Sequence, residues 1–192
     1  MVGSFGDSAV FSFCQNKIIT GGEGGMVVTD NKILAEKLRQ LSDHGRKGNE
    51  FVSLGFNWRM SNITASLILS QFKRIEEIIE TRIKDAYYLY GCSGIFNKPN
   101  QKIRNVFQLF TINLGKNRDK IQKLLTKNGV GNKVYFEPIH LTPFYKSLGY
   151  RDYLPVTEQV SREVLTLPLY PDLTREEMDY IGEIIWKNNI LN

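Results

Sequence analysis

One lysine, Lys17, lies between two short apolar runs in the stretch from Gly6 to Thr29, GDSAVFSFCQNKIITGGEGGMVVT. Ser12 precedes it by five residues, and the glycine-rich turn Gly21-Gly22-Glu23-Gly24-Gly25 follows. An amine at the mouth of an apolar strand, with a hydroxyl close by, can be offered to an aldehyde that sits beside a phosphate. A lysine amine becomes a carbonyl nucleophile when it is partly desolvated, as at the dry end of a strand. A dianionic phosphate takes short hydroxyl and amide donors, which Ser12 and the following loop can supply. A lysine after a strand is otherwise an ordinary solvated group, and the serine and the glycine turn are what argue against that here. The glycines themselves read first as turn residues and only second as a phosphate cradle.

Two further places carry polar residues of functional type. The segment Gly55-Phe56-Asn57-Trp58-Arg59-Met60 ends a loop rich in glycine, asparagine and arginine, and contributes Asn57 and Arg59. His140 stands between Pro138 and Leu141, where a packed loop histidine and a substrate contact are equally good readings. Cys14 and Cys92 are too few for a disulfide framework and have no CxxC spacing, so Cys14 is read as a small buried residue in a reducing compartment rather than as a nucleophile. No metal site is expected.

Bulk composition narrows the classes. With 192 residues, 42% hydrophobic and 23% charged, the chain can build one good core or two small ones. Its net charge of +5 would suit nucleic acid, but 25 Lys/Arg are interspersed with 20 Asp/Glu and no basic stripe forms. Lys73, Arg74, Arg82 and Lys84 alternate with Glu76, Glu77, Glu80 and Asp85, which reads as a solvated helix face. Nucleic-acid binding is therefore not expected. No apolar stretch approaches the roughly 20 residues of a membrane span. The first residues hold Asp7 and no basic leader, so no signal peptide is expected and a cytoplasmic location follows.

The elements that must hold these residues are legible in outline. Residues 8–13 and 25–29 read as strands around the glycine turn. Asp30-Asn31 caps a helix with Leu34, Leu38 and Leu41 on one face, ending before His44-Gly45. Residues 44–60 read as a loop. Ser61 or Asn62 opens the longest helix, running to about Tyr90 with Ile68, Phe72, Ile75, Ile79 and Ile83 on one side. Gly91, Gly94, Pro99 and Asn100 break the chain. Residues 106–112 read as a strand, Asn117 or Arg118 to Lys127 as a helix stopped by Asn128-Gly129, and 134–136 as a second strand. Thr157 to Val164 reads as a short helix, Leu165 to Leu169 as extended, and Thr174 as the cap of a last helix through Lys187. Phe136, Phe144, Tyr145, Tyr150 and Tyr153 are expected in core and interface rather than in a sugar-stacking platform. Two strands and one helix in the first 60 residues cannot cover both faces of an apolar hairpin, so this part reads as the edge of a larger domain.

In the order and spacing of these motifs the chain resembles the DegT/DnrJ/EryC1/StrS family of pyridoxal-phosphate (PLP) aminotransferases, which act on nucleotide-linked keto-sugars. The resemblance runs from Val2-Gly3-Ser4-Phe5-Gly6-Asp7 through Ser12, Lys17, Gly22-Glu23-Gly24-Gly25, His44-Gly45 and Leu54 to Met60. It continues through Val134-Tyr135-Phe136-Glu137-Pro138-Ile139-His140-Leu141 to Val164-Leu165-Thr166-Leu167-Pro168-Leu169-Tyr170-Pro171. It implies the C-terminal portion of a fold-type I PLP transferase, an α/β, aspartate-aminotransferase-like architecture. Residues 1–76 would be the C-terminal remnant of the large PLP-binding domain, and residues 77–192 the small α+β domain. By the same resemblance Lys17 holds PLP covalently and shuttles the proton of transamination, and Ser12 bonds the cofactor phosphate. Asn57 reaches the phosphate bound by a neighbouring subunit, so a homodimer is implied. Arg59 and His140 fall in motifs on the substrate side, with roles that vary across the family.

Family members are about twice this length, and the part without a counterpart here is N-terminal. It supplies a phosphate-binding loop, the aromatic residue that stacks on the pyridine ring and the aspartate that pairs with the ring nitrogen; Asp7 belongs to a different motif and is not that aspartate. The resemblance thus implies the C-terminal fragment of an aminotransferase that moves an amino group, with glutamate as donor, onto a nucleotide-linked keto-sugar for polysaccharide synthesis. Its N-terminal half would be on a separate chain or missing, and the fragment alone would be inactive or nearly so. Two alternatives stay open: a non-catalytic module that dimerises through its long helix and binds no cofactor, and a PLP lyase or decarboxylase.

Overall fold

In a computed structural model, which describes residues 3–95, 99 and 102–189, the chain divides into two compact units, one up to Glu76 and one from Glu77 onward. Val2 of the opening motif and the expected breaker Asn100 lie outside the described residues.

The first unit begins with the expected hairpin. Strand β1 (Ala9–Ser12) pairs antiparallel with β2 (Gly25–Val28), Ser12 opposite Gly25 and Val10 opposite Val27. Gly22 and Gly24 take φ of +82° and +148° in the turn, backbone that only glycine adopts cheaply. Helix α1 (Lys32–Ser42) starts where predicted, because the Asn31 side chain accepts from the amides of Ile33 and Leu34 at 3.0 and 3.1 Å. Leu34, Leu38 and Leu41 form its half-buried side.

Two expectations change here. The loop over 44–60 contains a small hairpin, β3 (Arg46–Lys47) against β4 (Glu50–Phe51). The single long helix is two, α2 (Asn62–Phe72), capped by Ser61, and α3 (Ile75–Cys92). Between them the Arg74 amide bonds the carbonyl of Gln71, three residues back, at 3.0 Å. That tightened turn ends the α-helical ladder although the apolar spacing runs straight through it.

In the second unit one hydrophobic core is shared by α3, the two-stranded sheet β5 (Phe110–Asn113) and β6 (Val164–Leu167), α4 (Arg118–Lys127) and α7 (Arg175–Asn189). The strands are antiparallel, Phe110 opposite Leu167 and Ile112 opposite Leu165. Leu89, Phe110, Ile121, Leu125, Leu165 and Ile185 are fully buried in that core. Helices α5 (Pro143–Ser147) and α6 (Pro155–Glu163) precede β6. At α7, Thr174 and Glu177 form a reciprocal cap: the Glu177 amide donates to Thr174 Oγ1 at 3.2 Å and the Thr174 amide to Glu177 Oε2 at 2.9 Å.

The strand predicted over 106–112 is shorter and later. Asn105 Oδ1 accepts from the Phe107 amide at 2.9 Å, turning Phe107 to φ +48°. The carbonyls just before β5 are then taken by an arginine on α3 that, with Asp85, is buried and not on the solvated face expected for it. Arg82 donates Nε and Nη2 to Phe107 O, Nη2 also to Gln108 O, and Nη1 to Leu169 O, between 2.6 and 3.2 Å. Burial lowers the pKa of its guanidinium, and the three carbonyls are what compensate the charge. Residues 134–136 form no strand: pairing stops at Lys133, which exchanges both backbone bonds with Thr166 at 3.1 and 2.8 Å. The aromatic residues Phe136, Phe144, Tyr145, Tyr150 and Tyr153 are all exposed, so they are not core.

Candidate active site

Ser12 closes β1, and Lys17 lies not at the strand's mouth but in the bend that follows. The loop between them and β2 is tied at its base. The Phe13 amide donates to Gly24 O at 2.8 Å, and the Phe13 carbonyl accepts from the Gly21 amide at 2.9 Å and from Thr20 Oγ1 at 3.0 Å. Phe13 is one of the few buried side chains of this unit. Above that base the Lys17 amide bonds Cys14 O at 3.0 Å, and Lys17 stands half-buried at the apex. Among the described residues nothing forms an ion pair or hydrogen bond with its ammonium group.

A second fastening comes from α2. Gln71 Oε1 accepts from the Thr20 amide at 3.1 Å, while its Nε2 donates to the Thr20 carbonyl at 2.7 Å. This two-way bond holds the lysine loop at one backbone position. Gly21 lies so close to the helix that a Cβ there would come within 2.6 Å of Thr64 Cγ2. Sequence reasoning did not single out Gln71; its signal was a glutamine inside the otherwise apolar or small run of α2.

The Ser12 hydroxyl accepts weakly from the Cys14 amide at 3.4 Å, which leaves its proton for an outside acceptor. The Cys14 thiol is half-buried and faces Glu23 Oε1 at 3.7 Å. A half-buried amine, with no counter-ion among the described residues, and an exposed hydroxyl thus share one hairpin. That donor set fits an aldehyde and a phosphate.

Asn57 and Arg59 belong to the same unit. The Phe56 and Trp58 amides donate to Leu41 O and Ser42 O at 2.7 and 3.0 Å, laying this segment along the end of α1, and Asp43 bridges Asn57. The Phe56 and Trp58 rings stack at 4.1 Å with 6° between planes. In an extended segment side chains alternate, so rings at 56 and 58 on one side place Asn57 on the other. Asn57 is exposed there. Arg59 bonds Asp43 and His44, partners not anticipated from the sequence.

His140 lies in the second unit, in a 3-10 turn (Ile139–Leu141). Its Nε2 meets Glu158 Oε1 at 3.2 Å, with side chains 10% and 17% exposed. The hydrogen bond from His140 holds the Glu158 carboxyl below the ordinary range, and the Leu154 amide adds to it. The pair fastens the turn to α6. Among the described residues there is no cluster of groups that could hold a metal ion and no helix long and apolar enough to cross a membrane.

Comparison with known proteins extends this geometry. The family model of the DegT/DnrJ/EryC1/StrS aminotransferases matches residues 1–186. A GDP-perosamine synthase of Caulobacter vibrioides is 36% identical over 93% of this chain and 52% of its own length. Among solved structures, Helicobacter pylori PseC, an aminotransferase involved in pseudoaminic acid biosynthesis, superposes with a TM-score of 0.88 at 27% identity, over 100% of this chain and 55% of that one. The Spr1654 protein of Streptococcus pneumoniae in its PLP form gives 0.81 at 26% identity, over 99% and 53%. The chain spans about half the length of the curated relatives it matches.

Proposed function

We propose, because this chain belongs to the DegT/DnrJ/EryC1/StrS aminotransferase family, that it is the lysine-bearing half of a PLP-dependent enzyme that aminates a nucleotide-linked keto-sugar. The observation that carries this reading is the Lys17 amine, without a partner among the described residues, in a tied loop one short stretch from the Ser12 hydroxyl. A GDP-linked amino sugar in the name of one relative and a sugar pathway in that of another support the substrate class.

In this reading the cofactor, when bound, supplies the electron sink for amine transfer. Lys17 Nζ would hold the cofactor covalently and would take up and return the proton that moves during amine transfer. The Ser12 hydroxyl donates to the phosphate. Asn57, exposed on its strand-like segment, is offered to the phosphate held by a second copy, which makes the working enzyme a homodimer. Gln71 and Thr20 keep the Lys17 loop in place so that little ordering is needed when substrate arrives. Arg59 and His140 serve the substrate side. The amino donor is glutamate, the two half-reactions alternate, and the compartment is the cytoplasm.

Because the match covers about half of each relative, this chain by itself is expected to show little or no turnover. The aspartate for the ring nitrogen and the stacking aromatic would come from an N-terminal half, on a separate chain or in a longer protein. The bare apolar hairpin, with Val10 76% exposed, favours a second reading, a module that works by association and binds no cofactor.

The discriminating experiment is the visible absorbance of the purified chain with added PLP, beside Lys17→Ala. A band of lysine-bound cofactor present in the parent and absent in the variant supports the first reading. No band in either, together with a stable dimer, supports the second. Turnover matching that of a complete enzyme would overturn the expectation of an inactive half.

A further inference from the structure

The corner where α1 ends and the Asn57 segment runs past it carries two polar side chains with no role assigned so far, Asp43 and His44, both against Arg59. Arg59 Nη1 is 3.1 Å from Asp43 Oδ1, and Arg59 Nη2 is 3.4 Å from His44 Nε2. We propose that Asp43 and His44 are positioning residues, which hold the two prongs of Arg59 and thereby set where Asn57 is presented. The proposal deepens the function given above and rests on its reading of Asn57 as a phosphate contact.

The chemistry fixes a protonation pattern. A guanidinium can only donate, so the ring nitrogen facing it must carry a lone pair. The His44 ring proton is therefore on Nδ1, the less common tautomer of a free imidazole. Asp43 Oδ1 is shut off from solvent and has no aligned hydrogen bond among the described residues, so the Arg59 charge is what compensates it. Neither acceptor alone would orient the guanidinium plane; two acceptors from adjacent residues do.

The backbone at this corner is built to bring the three together. His44 takes φ +57° and Gly45 φ +74°, a left-handed pair that reverses the chain right after α1. Gly45 and Gly55 then pass in main-chain contact: a Cβ on Gly55 would overlap the Gly45 nitrogen, and one on Gly45 the Ser53 carbonyl. The His44 amide donates to Phe56 O at 2.9 Å, which fixes the register of the two segments. Asn57 and Arg59 are two residues apart on an extended segment and so share a face. Restraining Arg59 restrains the face that displays Asn57, while the stacked Phe56 and Trp58 rings occupy the opposite side.

The test uses the full chain and needs no cofactor. The chain has two histidines, so nitrogen-15 imidazole spectra of labelled protein, assigned with a His140→Gln variant, report His44 directly. The expected spectrum has Nδ1 protonated and Nε2 bare. In Arg59→Met the ring should move toward the Nε2–H form, and the Phe56 and Trp58 amides should exchange about fivefold faster, the scale of losing one exposed ion pair. His44→Asn keeps an acceptor and tolerates a left-handed backbone, so protection should be retained; His44→Leu should lose it. An Nε2–H tautomer in the parent overturns the proposal whether or not the variants fold. So does unchanged protection in Arg59→Met with α1 amides intact. These readouts are independent of the absorbance band of Lys17, so the clamp and the aminotransferase reading fail separately.

Discussion

Among the described residues the unit up to Glu76 buries two apolar side chains, Phe13 and Ile68, whereas the unit from Glu77 onward buries seventeen around one core. The chemistry sits on the poorer side. Lys17, Ser12, Asn57 and Arg59 all belong to the unit whose strands and helices leave apolar side chains bare, with Val10 of β1 76%, Ile33 of α1 83% and Ile63 of α2 85% exposed. The two units are stabilised by different means. The second has burial, the non-directional term that dominates folding. The first holds its loops by local polar closures: Thr20 with Gln71, Phe13 with Gly21 and Gly24, Asp43 and His44 with Arg59. A two-stranded ribbon is marginal by itself in water, so such closures order a loop better than they stabilise a domain.

That contrast can be broken most sharply by one pair of substitutions. Arg82→Ala leaves the carbonyls of Phe107, Gln108 and Leu169 without their donor in the core, and should cost about 3–5 kcal/mol in urea unfolding. Val10→Ala on the bare strand should cost no more than about 0.5 kcal/mol in the same assay. Comparable losses from both would mean that the hairpin is covered in solution, by a second copy of the chain.

A smaller effect tests the polar closures. Gln71→Ala removes both bonds to Thr20 and should cost about 1–2 kcal/mol locally. It is read as faster amide exchange at Thr20 and a weaker absorbance band from Lys17, with the second unit's amides unchanged. Exchange quickening in both units alike would show one cooperative body rather than two.

The smallest effect is a pH dependence confined to the second unit. The hydrogen bond from His140 holds the Glu158 carboxyl low, so the fold favours its ionised form. The stability this contributes is complete above the ordinary glutamate pKa of about 4.3 and is lost as pH falls through the lower folded value. Glu158→Gln should flatten the acid limb of a melting-temperature profile. Glu163, held low by Gln159 and Asn113, remains in the variant as the internal reference. An acid limb identical to the parent's would remove the His140–Glu158 pair from any account of acid stability.

How much of this was legible in the amino-acid sequence depends on the reach of each signal. Helix starts at Asn31, Ser61 and Thr174 were readable, because a cap acts over three residues and its partners are chain neighbours. The glycine turn around Gly22 and Gly24 was readable for the same reason. The residues Lys17, Ser12 and Asn57 could be picked out through their motifs, although Lys17 was expected at a strand end and lies in a loop. The break after Phe72 was hidden, since the apolar period of the helix face continues across it.

What the sequence determined by itself is the local grammar of this protein: where helices begin, where the chain turns, and which amine and hydroxyl stand five residues apart. Only the tertiary structure decided that Phe110–Asn113 pairs with Val164–Leu167 instead of with residues 134–136. It alone supplied Gln71 to the lysine loop, Arg82 to the carbonyls around β5, and Asp43 and His44 to Arg59. Pairings across twenty-five residues or more are selected by which apolar faces and polar groups remain unsatisfied once the local elements exist. Even the corner of Asp43, His44 and Arg59, some fifteen residues apart, forms only because two glycines let the main chains touch.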